Sequence, residues 1–139
     1  MALKRLLLLF LPLISLSLSG QVKETYPKFP GGFNAFKIYL ATSLNYPESA
    51  RKSKYQGTTG IIFNVNPDGT GSLISLDFGK MNFEEAPGEV DKQLLTELQG
   101  DIRKEVERIL AEMPAWEPAT RNGEKLKVRI GVPLKMALY

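Results

Sequence analysis

The chain predicts an α+β fold, with helices packed on one face of a β-sheet, and three stretches carry that reading. Residues 125–138 place an apolar residue at every even position: Leu126, Val128, Ile130, Val132, Leu134, Met136 and Leu138. Lys125, Lys127, Arg129 and Lys135 sit among the odd ones, so the period of two predicts one long strand with a buried and a wet face. Earlier, Ile61, Phe63 and Val65 alternate before the turn-rich Asn66-Pro67-Asp68-Gly69-Thr70-Gly71, and Ile74, Leu76 and Phe78 alternate after it, which predicts a hairpin. Between them and the last strand, Leu94, Leu95, Leu98, Ile102, Val106, Ile109, Leu110 and Met113 recur at helical spacing. Amphipathic strands and helices bury one another's apolar faces, which gives the layered arrangement.

Residues 1–20 read as a signal peptide. Lys4 and Arg5 precede the apolar run Leu6, Leu7, Leu8, Leu9, Phe10, Leu11, Leu13 and Ile14, and the small residues Ser17, Ser19 and Gly20 follow. A spanning helix needs about 20 mostly apolar residues, whereas this run is shorter and is broken by Pro12. Cleavage near Ser19 to Gln21 and export to the periplasm are expected, with inner-membrane anchoring the alternative if the leader is retained. The chain has no cysteine, so the exported domain is expected to rely on its hydrophobic core rather than on disulfides. Removing Lys4 and Arg5 brings 18 basic residues close to parity with 15 acidic ones. No basic run interleaves with aromatics, so nucleic acid is not an expected partner.

Residues 21–32 form an extended lead-in, with Pro27, Pro30 and the pair Gly31-Gly32 ending it in a turn. The remaining residues, 33–139, make up the domain. Phe33, Phe36, Ile38, Tyr39, Leu40 and Leu44 suggest a short helix, which Tyr46-Pro47 interrupts. Pro47 suits the first turn of a second helix running to about Lys54, with Gly57 closing it. Residues 79–89 read as a loop around Pro87-Gly88. Gly100 interrupts the following helical pattern and Asp101 could cap a second helix there, so one helix or two are equally consistent. Pro114 ends it, and Arg121-Asn122-Gly123 turns into the last strand.

The inventory argues against an enzyme. The chain has neither His nor Cys, which removes the usual general base, the thiol nucleophile and most transition-metal ligands. Glu84-Glu85 and Glu105/Glu107 read as solvated charge, and Asp68-Gly69 lacks the remaining positions of a calcium loop. No cofactor, metal or small-molecule substrate is expected.

Three features can be either structural or functional. Gly131 and Pro133 lie inside the last strand, and a proline there favours a sheet edge, where a partner can add a strand or lysines can discourage it. Phe29-Pro30-Gly31-Gly32 could fix a turn whose phenylalanine plugs the core, or present a surface. Trp116, the only tryptophan, sits in Met113-Pro114-Ala115-Trp116-Glu117-Pro118 as either a core anchor or a ligand platform.

Taken in order, these clusters resemble the C-terminal domain of the TonB family, in the form common in Bacteroidetes-type proteins. The resemblance rests on Phe29-Pro30-Gly31-Gly32, Tyr46-Pro47-x-x-Ala50, Gly57, Phe63-x-Val65 and Asp68-Gly69. It continues through Glu105-x-x-Arg108, Met113-Pro114-x-Trp116-x-Pro118 and Asn122-Gly123. It spans nearly all of the chain after the leader. It implies two or three helices on one face of a three-stranded antiparallel sheet. It also implies β-augmentation, the capture of a short segment of an outer-membrane TonB-dependent receptor beside the last strand. Lys125, Lys127, Arg129, Gly131, Pro133 and Lys135 would then flank the partner. Full transducers carry a spanning helix and a long proline-rich spacer, whereas only about eight residues separate Gly20 from Phe29, too few to cross a periplasm. Residues 81–100 also exceed the usual connection before the last helix. The expectation is therefore a periplasmic protein-binding module for transmembrane transport. The alternatives are an anchored transducer component and a structural domain that forms a homodimer through its last strand.

Overall fold

The structure, a computed structural model, describes residues 22–85 and 88–138; the expected leader lies outside them. The elements are β1 (Glu24–Thr25), α1 (Phe33–Ser43), α2 (Glu48–Lys52), β2 (Tyr55–Val65) and β3 (Gly71–Phe83). They continue with α3 (Lys92–Glu112), β4 (Ala119–Arg121), β5 (Glu124–Leu126) and β6 (Val128–Met136). The fold is α+β, as predicted, and its main sheet is antiparallel with strand order β3-β2-β6. A second, smaller sheet, β1-β4-β5, was not legible in the sequence. Among the described residues no helix is long and apolar enough to cross a membrane.

The hairpin between β2 and β3 follows from its turn chemistry. Gly69 donates to the Asn66 carbonyl at 2.8 Å, which closes a turn with Pro67 and Asp68 at its corners, and Gly69 takes φ +85°. The Asp68 carboxylate accepts from the Thr70 hydroxyl at 2.6 Å and from its N–H at 3.0 Å. Both strands are longer than their alternating cores suggest. Gly57 lies in β2 rather than ending a helix, and β3 extends through Phe83 into the stretch expected to be a loop.

Two register shifts in β3 correct the predicted inner face. Between Ile62 and Phe63 the partner jumps from Ser75 to Leu73, so Ile74 is skipped and stands 36% exposed. A bulge inserts one residue and reverses the facing of everything beyond it. The inner face of β3 is Leu73, Leu76, Phe78, Met81 and Phe83, packed against the core.

The predicted terminal strand is two strands. Asn122 and Gly123 take φ +51° and +82°, the paired left-handed values of a two-residue hairpin turn, so the chain on either side of them pairs. That draws Lys125 and Leu126 into β5, opposite Thr120 and Ala119, and Lys127 bridges to β6 in the main sheet. Leu126 is accordingly 36% exposed instead of buried. From Val128 onward the alternation holds, with Val132, Leu134 and Met136 buried and the odd positions exposed.

Helix α3 is single and runs through Gly100. Asp91 caps it, accepting from the Gln93 N–H at 2.9 Å. Asp101 does not cap a second helix; it lies mid-helix and accepts from the Ser49 hydroxyl at 2.6 Å, which fastens α2 to α3. Leu98, Ile102, Val106, Ile109 and Leu110 form the buried stripe of α3.

The Phe29 and Trp116 clusters close one end of the core. Gly32 donates to the Phe29 carbonyl at 2.8 Å around Pro30 and Gly31 (φ +87°), the turn that Pro-Gly favours. Phe29 and Trp116 are both buried and their rings lie 5.5 Å apart, edge to face. Lys28 and Glu117 exchange two backbone hydrogen bonds of 2.8 Å, which clips the lead-in to the connection after α3.

Candidate functional site

Strand β6 pairs with β2 on one side only and forms an edge of the main sheet among the described residues. Its register against β2 is unbroken from Val128 opposite Val65 to Met136 opposite Gly57. Proline has no N–H, so continuous pairing requires Gly60–Pro133 to be a non-hydrogen-bonded pair. Alternation then assigns the remaining residues. Ile130, Val132, Leu134 and Met136 bond to β2, while Arg129, Gly131, Pro133 and Lys135 turn their backbone groups to the open side.

The outward row therefore carries three donors, the N–H groups of Arg129, Gly131 and Lys135, and four carbonyl acceptors. A segment that pairs there satisfies backbone groups of both chains with little demand on sequence. Gly131 and Pro133 also keep the wet face low beside the edge. With Gly60 they line a shallow depression of about 240 Å³ across the middle of that face.

Of the six residues expected to flank a partner, Arg129, Gly131, Pro133 and Lys135 lie on β6, all exposed. Lys125 sits on β5, in the smaller sheet, and Lys127 at the junction between β5 and β6, so neither is part of the open row. The expected structural motifs converge instead at the hairpin end of the core. Trp116 donates its backbone N–H to Gly69 at 2.9 Å and its indole N–H to the Met113 sulfur at 3.3 Å. A Cβ on Gly69 would lie 2.3 Å from the Trp116 carbonyl, so the Asp68-Gly69 turn and the tryptophan are in direct backbone contact. Tyr46 and Pro47 lie elsewhere, where the Tyr46 hydroxyl donates to the Tyr55 carbonyl.

The helix layer reaches the edge through α1, which packs on β6, while α3 packs on β3. Arg108 fixes α1 in that place. Its guanidinium donates to the Ser43 carbonyl at 2.7 Å, to Glu112 at 2.7 Å and to Glu105. Glu105 in turn accepts from the Asn45 N–H at 2.7 Å, so the end of α1 is tied to α3 by both partners. Burial acts to raise the Glu105 carboxyl, but the Arg108 guanidinium and the Asn45 N–H outweigh it and hold it below its ordinary value of 4.5. A lowered carboxyl stabilises the fold above its unfolded value and loses that contribution as pH falls through the folded one. Wild-type stability to urea, followed by Trp116 fluorescence, is expected to fall below about pH 4.5 more steeply than that of Glu105→Gln. Equal slopes would remove Glu105 from the account.

Two residues of α1 carry no site signal of their own in the sequence pattern. Phe33 is 52% exposed on α1, and the Lys37 ammonium lies 5.6 Å from its ring centre. The available signal was an excess of apolar residues: Phe33, Phe36, Ile38, Tyr39, Leu40 and Leu44 are more than one helical face can bury. No family model, curated protein or solved structure matches this chain.

Proposed function

We propose that this chain is a protein-binding module that captures an extended segment of another protein by strand addition along β6. Its role is that of a TonB C-terminal-like domain in the periplasm, and the captured segment belongs to an outer-membrane TonB-dependent receptor. The observation that carries the capture is the open row of Arg129, Gly131 and Lys135 N–H groups on an edge strand whose other side is fully paired. The ordered motifs from Phe29 to Asn122-Gly123 support the receptor as partner. Self-pairing is disfavoured, because two copies of β6 would bring the exposed cations Arg129 and Lys135 of one strand beside those of the other.

Arg129→Pro tests the reading. It repeats at position 129 what Pro133 already does at the same phase of the strand, removing one outward donor and no bond to β2. Outer-membrane extract passed over the immobilised wild-type domain is expected to leave a TonB-dependent receptor bound. The folded Arg129→Pro variant is expected to retain about tenfold less or none. Equal retention by the two would mean that capture does not use the β6 edge.

A further inference from the structure

Resting on that strand-addition reading, we infer that α1 forms one wall of the receiving groove and that the segment it admits is an acidic amphipathic strand. Such a strand is apolar on its inward face and carboxylate-bearing on its outward face. Successive helical residues are about 100° apart, so the contacts of α1 fix where each flank points. Phe36 and Leu40 face the core, at 0% and 2% exposure. Tyr39 and Ser43 mark the flank toward α3, since the Tyr39 hydroxyl donates to the Ile109 carbonyl at 2.8 Å and the Ser43 carbonyl accepts from Arg108. Phe33 and Lys37 fall on the opposite flank. Because α3 lies over β3 and α1 over β6, that opposite flank overhangs the open side of β6.

A strand added about 4.8 Å beyond β6 would project alternate side chains toward this overhang and the others beside Arg129 and Lys135. The inward ones would meet the Phe33 ring, whose centre lies 6.1 Å from that of Phe36 and which keeps about half of its surface exposed. The outward ones would meet cations. Strand β6 carries Arg129 and Lys135 and no acidic residue. Neither of these two nor Lys37 forms an ion pair among the described residues. Charge complementarity therefore commits the groove to an anionic strand from another protein. A second β6 presents cations in the same place and does not fit.

Three fluorescein-labelled decapeptides, blocked at both ends, provide the probes: alternating valine and glutamate, alternating valine and lysine, and alternating threonine and glutamate. Anisotropy titrations with wild type should show binding of valine–glutamate and none of valine–lysine. Threonine–glutamate with wild type, and valine–glutamate with Phe33→Ala, should each bind about fivefold more weakly. Arg129→Pro should abolish all binding. If Phe33→Ala and the threonine peptide leave affinity unchanged while Arg129→Pro abolishes it, the α1 wall is wrong and strand addition stands. If valine–lysine binds as well as valine–glutamate, the charge selection is wrong. If folded Arg129→Pro binds like wild type, or no peptide binds at millimolar concentration, strand addition itself fails. The threonine peptide keeps the α1 arm decisive should Phe33→Ala not fold.

Discussion

Trp116→Ala is expected to destabilise the domain by about 3–5 kcal/mol, the usual range for truncating a fully packed aromatic residue. The cost is large because several independent connections meet at this residue. Its ring lies 4.8 Å from Phe36, 5.5 Å from Phe29 and 5.9 Å from Phe63, all edge to face, so its removal opens a cavity between α1, the lead-in and β2. The indole N–H to the Met113 sulfur is lost with it. Trp116→Phe keeps most of the aromatic packing and should cost about 1–2 kcal/mol. Urea unfolding followed by far-ultraviolet circular dichroism measures both, since the substitutions remove the only tryptophan. A loss below about 1 kcal/mol for Trp116→Ala would mean that the residue is not the anchor described.

Ile130→Pro is expected to cost about 3 kcal/mol or more, and Arg129→Pro within about 1 kcal/mol, although the two positions are adjacent. The difference follows from the phase of the ladder. Ile130 stands opposite Phe63 in a hydrogen-bonded pair, so proline there removes a donor to β2, leaves an acceptor of Phe63 unmet inside the sheet, and deletes a half-buried side chain. Arg129 gives its N–H to the open side, and its side chain is exposed. Parallel urea titrations of the two variants read the contrast directly. Equal losses would place the Pro133 phase, and with it the outward row, on the wrong residues.

The parts of this fold that were legible in the sequence are those set by local chemistry. Asn66-Pro67-Asp68-Gly69 imposes its turn wherever it lies, and the α3 stripe from Leu98 to Leu110 needs only a period to be read. What stayed hidden depends on pairing across the chain. The β3 bulges at Ile74 and near Gly79 respond to the register of β2, and nothing in the local pattern announces them. The split at Lys127 was harder still, because residues 125–138 alternate without a break. The Asn122-Gly123 turn was visible, but not that β4 would pair back onto β5 and join β1. At the candidate site, Pro133 within an alternating strand is a local signal of a sheet edge. The contribution of α1 required knowing that its Phe33 flank faces away from α3.

Amide hydrogen exchange along β6, resolved residue by residue, tests the central claim most directly. In the free domain, Ile130, Val132, Leu134 and Met136 should exchange slowly, and Arg129, Gly131 and Lys135 fast. On addition of the valine–glutamate peptide or a bound receptor segment, the second set should slow while the first stays unchanged. Slow exchange of Arg129, Gly131 and Lys135 in the free monomer, or no change in them on binding, would contradict an open edge that receives a partner strand.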